Sequence, residues 1–397
     1  MGIRLAVRVP ALAVWAVVLA VLAAACSASP STPTGAALPP PETVAAPPCV
    51  PAPLEERAGA VLIAGLPGVT SSADPQVDEL LDVGVGGVFV HRTNVDNAGQ
   101  VGALVAELRA RSRRPIVVST DEESGRVSSF AAVRGPTPSA RRLATERSPD
   151  GVREFARQTG AAPACAGIDL DLAPVADLDG GPSGAVIGDR SFSTDPLIAS
   201  SNAYAFAAGL ADAGVRSAAK HFPGHGRADG DSHLDRTTVD APLQDMTTTD
   251  LVPFRYLVGA GVPVVMLSHV EYAALDPDLP ASLSPKAYQL LRSMGFGGVA
   301  VTDSVGMGAV TLRWDEAEAA VMAVGAGADA VLSTDAGVAR PMRDALVAAV
   351  QQGRLSVPRL NEAAARMAAL AGGDPMALAC QAPDVPRLQP PPPSSVP

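Results

Sequence analysis

The fold prediction begins with residues 217–226, which read Ser217-Ala218-Ala219-Lys220-His221-Phe222-Pro223-Gly224-His225-Gly226. Its first part, residues 217–222, is predicted to form a short β-strand that ends in charged and polar residues. The proline and the two glycines that follow exclude a helix, so a shaped loop leaves the strand. Loops of this kind carry binding and catalytic residues on a rigid scaffold.

Seven similar runs occur elsewhere, separated by stretches that carry apolar residues at helical spacing. The eight predicted strands are residues 61–65, 85–90, 115–121, 167–175, 217–222, 263–270, 298–303 and 328–333. The predicted helices include residues 101–111, 151–160, 196–213, 315–325 and 341–352. Apolar strands that alternate with helices indicate a parallel sheet covered by helices. Eight such units in about 320 residues predict an α/β protein with a single (β/α)8 TIM-type barrel. An open doubly wound sheet is the main alternative.

Ionisable residues stand at the carboxyl ends of four predicted strands. They are Asp121, the Lys220–His221 pair, His269 and Asp303. One such aspartate would be unremarkable, because an aspartate often caps the next helix. In barrel enzymes, however, this rim is where the catalytic groups lie. The recurrence therefore favours a barrel with a catalytic site at that end.

Composition limits the classes of partner. Of the 397 residues, 47% are apolar and 18% are charged, which is enough apolar material for a sizeable core. Acidic residues outnumber basic residues by 41 to 30, giving a formal net charge of −11. This balance argues against nucleic acid and against electrostatic binding to anionic lipid.

The first residues have the pattern of a targeting segment. Arg4 and Arg8 precede the uncharged run 11–25, which is short for a membrane span of ~20 residues. The run ends in Leu22-Ala23-Ala24-Ala25-Cys26, which resembles a bacterial lipobox; an ordinary secretory signal is the alternative. We therefore expect an exported protein, anchored by a lipid on Cys26 to the outer face of the bacterial cell membrane.

Composition shifts divide the chain into four predicted parts. These are a lipoprotein signal peptide at 1–25, a Pro/Ala/Ser-rich tether at 26–53, a barrel at 54–380, and a Pro-rich disordered tail at 381–397. The barrel region is long enough for one domain of this class.

Three cysteines remain after the predicted export step, namely Cys49, Cys165 and Cys380. Outside the cytoplasm, this count permits one disulfide bond and one free thiol. Because a closed barrel brings its two ends together, we expect the disulfide bond to join Cys49 to Cys380.

The loop after residue 222 holds the densest group of ionisable side chains. Three of the five histidines, His221, His225 and His233, lie close together in the sequence with Asp231. His221, His225 and either Asp231 or His233 could bind a metal ion, as in zinc hydrolases. Alternatively, Asp231 could orient His233, whose imidazole would then transfer a proton. Loop histidines bonded to the backbone are a third possibility, and the residues alone leave all three open.

Five blocks of sequence, in order along the chain, resemble glycoside hydrolase family 3 and its bacterial β-N-acetylglucosaminidase branch. The blocks are Asp121-Glu122-Glu123-Ser124-Gly125-Arg126-Val127; Ala173-Pro174-Val175 with Ile187-Gly188-Asp189-Arg190-Ser191-Phe192; Lys220 to Gly226 with Asp231-Ser232-His233; Pro253-Phe254 with Val265-Met266-Leu267-Ser268-His269-Val270; and Val301-Thr302-Asp303-Ser304-Val305-Gly306-Met307. They span roughly residues 57–370, which is essentially the whole predicted barrel.

The resemblance implies a retaining glycosidase on a barrel, without a metal or organic cofactor. Asp303 matches the nucleophile that would form a glycosyl-enzyme intermediate. His233 matches the acid/base residue, with Asp231 as its orienting partner. Four further residues match positions that hold the sugar: Asp121, Arg190, Lys220 and His221.

Some residues in these blocks have structural alternatives. His225 is expected to shape its loop rather than to react. His269 and Met307 match the pocket, with a place in the core as an equal alternative. Asp121 and Arg190 could form an ion pair that braces two loops.

Three positions depart from the family pattern and put fine specificity in doubt. Ser124 replaces the first glycine of a common Gly-Gly pair, and Ser129 stands where many relatives carry an arginine. Ser304-Val305 replaces a frequent Asp-Leu after the nucleophile. We also expect no second α/β sandwich domain of the kind that larger family members carry.

These expectations combine into an exo-β-N-acetylglucosaminidase that removes terminal, non-reducing GlcNAc from cell-wall (peptidoglycan) fragments. The predicted partners are GlcNAc-containing saccharides or muropeptides; the protein is expected to be a monomer that meets the membrane only through its lipid. A β-N-acetylglucosaminide phosphorylase is the alternative within the family. A sugar-binding lipoprotein without catalysis is the alternative of another class.

Overall fold

Eight parallel strands close into a barrel in a computed structural model that describes residues 48–389. In chain order they are β1 (Leu62–Gly65), β2 (Gly87–Val90), β3 (Val117–Thr120), β4 (Leu170–Asp171), β5 (Arg216–Phe222), β6 (Val264–Leu267), β7 (Val299–Ser304) and β8 (Ala330–Ser333). Each strand pairs in parallel with the next, and β8 pairs with β1. The predicted barrel is confirmed, and the open sheet is excluded.

One helix follows each strand and covers the outside of the barrel. These helices are α1 (Pro75–Val83), α2 (Ala98–Arg111), α3 (Pro149–Cys165), α4 (Pro196–Asp212), α5 (Leu251–Gly259), α6 (Pro285–Ser293), α7 (Glu316–Ala326) and α8 (Ala339–Gln351). Several begin where the sequence places a capping side chain: Asn97, Asp195 and Asp315 each accept a hydrogen bond from a main-chain N–H of the first turn. Proline at the start of α1, α3, α4 and α6 costs no helical hydrogen bond.

Further elements complete the described chain. The remaining α-helices are Leu54–Ala60, Ala131–Arg134, Ala140–Glu146, Leu243–Thr248, Gly308–Thr311, Val357–Leu370 and Pro375–Ala379. Short 3-10 turns cover Arg92–Asn94, Gly188–Arg190, Ala281–Leu283 and Ala336–Val338. Two small sheets also occur, a hairpin of Glu122–Ser124 with Val127–Ser128, and a three-stranded sheet of Thr238–Val239, Glu271–Tyr272 and Asp276–Pro280.

The strands are mainly apolar, with polar residues concentrated toward their carboxyl ends, because both of their faces are buried. Within β1, Ile63 belongs to the cluster that fills the barrel, whereas Leu62 and Ala64 belong to the cluster between strands and helices. Met367 and Leu370, near the end of helix Val357–Leu370, join the interior cluster. The predicted strand 167–175 shortens to Leu170–Asp171. On its carboxyl side, the proline at position 174 has no N–H for a regular ladder.

The segment before the barrel meets the segment after it, and the predicted Cys49–Cys380 disulfide bond is confirmed. Beside it, the main-chain N–H of Ala52 donates to the carbonyl of Leu378 at 3.0 Å. Cys165 is free and exposed.

Residues 381–389, the first part of the predicted disordered tail, lie against the barrel. Val385 packs on the interior cluster, and the N–H of Gln389 donates to the carbonyl of Ala260 at 2.8 Å. The apolar side chains in this segment give it contacts that its proline content did not predict. The predicted signal peptide, Cys26 and most of the tether lie outside the described residues. Between residues 48 and 389, no helix is long and apolar enough to cross a membrane.

Candidate active site

A polar cavity of about 520 Å³ opens at the carboxyl ends of the barrel strands. Its wall includes residues from or directly after β2, β3, β4, β5, β6, β7 and β8, together with loop residues. All seven predicted catalytic and sugar-binding residues line this one cavity: Asp121, Arg190, Lys220, His221, Asp231, His233 and Asp303. The barrel therefore brings together residues that are up to about 180 positions apart in the sequence.

A buried ion network joins the first two blocks to β5. Lys220 is 3% exposed, and its Nζ lies 2.5 Å from Asp121 Oδ1 and 2.6 Å from Glu123 Oε1. Arg190 binds Glu123 with two hydrogen bonds of 2.7 Å, from Nε and Nη2. Burial acts to raise the pKa of Glu123, but the charges of Arg190 and Lys220 outweigh it and hold that pKa well below the ordinary value.

Asp121 and Arg190 do not form an ion pair with each other. Both side chains are in ion pairs, but Arg190 binds Glu123 and Asp121 binds Lys220. Asp121 keeps its second oxygen, Oδ2, without a protein partner among the described residues. One carboxylate oxygen of Asp121 is thus available to a ligand in the cavity.

A second buried group orients His221. The carboxylate of Asp177, fully buried, accepts from His221 Nδ1 at 2.7 Å and from the main-chain N–H groups of His221 and His225 at 3.1 and 2.7 Å. Because Nδ1 bonds to the carboxylate, Nε2 of His221 is the ring atom left to face the cavity. In the neutral ring that atom is an acceptor, and Arg190 Nη2 lies 3.4 Å from it.

Asp303 is the second-last residue of β7, and its carboxylate reaches the cavity. Its Oδ1 accepts a hydrogen bond of 2.7 Å from the main-chain N–H of Ser304. Burial acts to raise the pKa of Asp303, but the imidazoles of His221 and His269 and the Ser304 N–H together lower it below its ordinary value. Asp303 is therefore held as a carboxylate, the form that a nucleophile needs.

His269 and Met307, for which both the cavity and the core were predicted, differ in position. His269 is buried behind β7, where Nδ1 lies 2.6 Å from Ser282 Oγ and Nε2 lies 2.8 Å from the carbonyl of Ser304. It supports strand β7, which carries Asp303, and it does not line the cavity. Met307 does line the cavity.

Asp231 and His233 form an exposed pair on the loop that follows β5. His233 Nδ1 lies 2.7 Å from Asp231 Oδ1, and the His233 main-chain N–H donates to the same oxygen at 3.0 Å. Although partial burial acts to raise the pKa of Asp231, these two hydrogen bonds lower it. Nε2 of His233 has no protein partner among the described residues, so it is available for proton transfer.

The metal-binding alternative was also open at this loop. Among residues 48–389, no group of three or more His, Cys, Asp or Glu side chains is arranged to hold a metal ion. His221 Nδ1 bonds to Asp177, and His225 Nε2 lies 2.9 Å from Ser232 Oγ. That the enzyme needs no cofactor stays a prediction.

Sequence reasoning missed Glu123, Asp177, Arg126 and His91, of which all but Asp177 line the cavity. His91 directly follows β2, so the strand-end pattern that identified Asp121 and Asp303 could have found it. Thr93 binds its Nδ1, and burial lowers its pKa. No comparable local pattern distinguishes Asp177, because its importance depends on the loop that folds over it.

A closed barrel that places a strand-end carboxylate and an exposed histidine–aspartate pair in one cavity has the architecture of a barrel enzyme. The model of the glycosyl hydrolase family 3 N-terminal domain matches residues 56–370. The chain belongs to glycosyl hydrolase family 3, and it is an enzyme of the glycoside hydrolase class.

Similar proteins include several hexosaminidases. Over 356 residues the chain is 38% identical to β-hexosaminidase LpqI of Mycobacterium tuberculosis, covering 88% of this chain and 90% of that protein. A family 3 glycosyl hydrolase structure from Mycobacterium smegmatis shares 37% identity at a TM-score of 0.75, covering 80% and 97% of the two chains. A β-N-acetylglucosaminidase structure from Paenibacillus sp. shares 32% identity at a TM-score of 0.77, covering 81% and 62%.

Proposed function

We propose that this protein is a retaining exo-β-N-acetylglucosaminidase that releases terminal, non-reducing GlcNAc. The proposal is supported by the hexosaminidase relatives and by one observation above others. A carboxylate with a lowered pKa, Asp303, shares a cavity with His233, whose Nε2 is unoccupied by protein. These are the nucleophile and the proton carrier that retention requires.

The first step forms a glycosyl-enzyme intermediate. An oxygen of Asp303 attacks the anomeric carbon, while protonated His233 gives its Nε2 proton to the departing glycosidic oxygen. The bond from the anomeric carbon to that oxygen breaks, and the leaving group departs as an alcohol. The Asp231 carboxylate, 2.7 Å from Nδ1, orients the imidazole so that Nε2 is the atom left to transfer the proton.

The second step hydrolyses the intermediate. His233, now neutral, takes a proton from water at Nε2 as the water oxygen attacks the anomeric carbon. The bond to Asp303 breaks, and GlcNAc leaves with the β configuration that it had in the substrate. His233 is protonated again, so both residues return to their starting states.

The four predicted sugar-binding residues form two groups, according to whether a polar atom is still free to bind the sugar. Asp121 Oδ2 and His221 Nε2 face the cavity and can bond directly to hydroxyl or acetamide groups. Lys220 and Arg190 bond to carboxylates and hold these two side chains in place. Nζ of Lys220 has a third hydrogen, which can donate to the sugar.

We further propose that the enzyme acts outside the cytoplasm on peptidoglycan fragments, as a monomer anchored through Cys26. The lipobox-like sequence and the Pro/Ala/Ser-rich residues 26–53 support this location, and residues 54–380 would then be the barrel that reaches the wall. A disaccharide of GlcNAc and N-acetylmuramic acid is a suitable substrate of this type.

A substrate panel with the purified full-length chain tests the proposal. We expect hydrolysis of aryl β-N-acetylglucosaminides and muropeptide disaccharides, little turnover of β-glucosides, and no turnover by Asp303→Ala. Proton NMR should show the β anomer of GlcNAc first. If phosphate buffer yields N-acetylglucosamine 1-phosphate as the main product, the protein is a phosphorylase instead. A wild type that only binds sugar would contradict both.

A further inference from the structure

We propose that Gly308 and Ser232 are positioning residues that dock the acid/base loop onto the segment following the nucleophile strand. The inference rests on the proposed roles of Asp303 and His233. The loop segment Asp231-Ser232-His233-Leu234 is called the dyad loop here. The side chains of Asp231 and His233 are exposed, yet the loop is held at three points.

Two of these points are main-chain hydrogen bonds to the segment after β7. The N–H of Gly308 donates to the carbonyl of His233 at 2.9 Å. The N–H of Ala309 donates to the carbonyl of Ser232 at 3.1 Å. Since Gly308 is only five residues beyond Asp303, these bonds set the distance between the proton carrier and the nucleophile.

The close approach of the two segments requires glycine at position 308. A Cβ atom there would lie 2.6 Å from the carbonyl carbon of Leu234 and 3.0 Å from the carbonyl oxygen of His233. Both neighbours are backbone atoms, so no flexible side chain can turn away. Any larger residue must push the dyad loop outward.

The third point is the side chain of Ser232, which is buried while its two neighbours are exposed or half-buried. Ser232 Oγ lies 2.9 Å from Nε2 of His225, itself buried. The main-chain N–H of His225 in turn donates to Asp177 at 2.7 Å. The dyad loop is thereby tied to the same buried carboxylate that orients His221.

Displacing the loop should impair proton donation specifically. A shift of about 1 Å in a catalytic group can cost about 100-fold in rate. Substrates with a poor leaving group, such as a second sugar, depend on that proton, whereas a 2,4-dinitrophenyl leaving group departs without it. The attack by Asp303 is common to both substrates.

The test compares Gly308→Ala with Gly325→Ala, a matched change in α7 where a Cβ would meet nothing within 4 Å. For Gly308→Ala, we expect kcat/KM on GlcNAc disaccharides to fall at least about tenfold, and on the dinitrophenyl glycoside less than about twofold. Ser232→Ala should show the same selectivity with a smaller loss. Gly325→Ala should match the wild type on both substrates.

Equal losses on both substrates, or no loss for Gly308→Ala, would overturn the proposal. Hydrogen–deuterium exchange gives a readout that does not depend on activity. Peptides covering the amides of Gly308 and Ala309 should be protected in the wild type and should exchange faster in Gly308→Ala. Unprotected amides in the wild type would contradict the docking, whereas an inactive wild type with protected amides would contradict only the proposed function.

Discussion

The candidate active site contains two histidine–carboxylate pairs that are alike in geometry and opposite in exposure. In both, Nδ1 of the histidine lies 2.7 Å from an aspartate oxygen: Asp177 with His221, and Asp231 with His233. The side chains of the first pair are 0% and 6% exposed, and those of the second are 40% and 59% exposed. His221 lies in β5 and Asp177 follows β4, whereas Asp231 and His233 lie on the loop that follows β5.

The difference indicates that the buried pair stabilises the structure, whereas the exposed pair is free to react. The Asp177 carboxylate is saturated by hydrogen bonds from His221 and His225, so it holds two backbone segments in place. His233 reaches solvent and the cavity with Nε2 unoccupied by protein. We therefore expect substitutions in the first pair to affect folding, and substitutions in the second pair to affect the reaction.

The largest effect is expected for Asp177→Ala. Because it leaves buried donors of His221 and His225 without an acceptor, it should lower the free energy of unfolding by about 3–5 kcal/mol. Asp231→Ala is the matched control at an exposed carboxylate, and it should change this free energy by no more than about 0.5 kcal/mol. Denaturant titration of both variants measures the contrast; equal destabilisation would remove the distinction between the pairs.

The next effect concerns the reaction. His233→Ala should lower kcat/KM for disaccharide substrates by about 10²–10⁴-fold, because the leaving oxygen loses its proton donor. The melting temperature should stay that of the wild type, since the imidazole is exposed. His221→Ala should instead lower both the melting temperature and the turnover of every substrate. Steady-state kinetics and thermal melts distinguish these outcomes, and a His233→Ala enzyme with undiminished disaccharide turnover would refute the assignment.

A smaller effect concerns the pH dependence of stability. Burial, then the nearby His221, lowers the pKa of His225 to about 4. Between about pH 4 and 6.5 the unfolded chain holds this proton and the folded protein does not, so stability rises with pH over that range, by roughly 3 kcal/mol at most. His225→Gln should flatten the rise in unfolding free energy.

Gly325→Ala serves as the control for that measurement, because it changes no ionisable group and its Cβ would meet nothing within 4 Å. It should leave the slope between pH 4 and 6.5 unchanged. A slope that is the same in wild type and His225→Gln would show that the buried histidine is not responsible.

The sequence predicted those features that depend on local pattern. All eight strands were located, because each contains a mainly apolar run buried on both faces, and strand ends marked Asp121, Lys220, His221 and Asp303. The sequence did not predict which side chains bind one another in the site. Arg190 binds Glu123, 67 positions away, and His221 binds Asp177, 44 positions away. Such pairs depend on how separate loops fold over one another. The disulfide bond could be predicted because closure of a barrel brings its ends together.

Trapping the covalent intermediate is the most direct test of the proposed division of roles. The His233→Ala variant lacks the base for the second step, so a 2,4-dinitrophenyl β-N-acetylglucosaminide should load it with GlcNAc faster than water removes it. Peptide mass spectrometry after acid quench should then find one N-acetylhexosamine on Asp303, and none in Asp303→Ala. A label on another residue, or steady turnover by Asp303→Ala, would contradict Asp303 as the nucleophile.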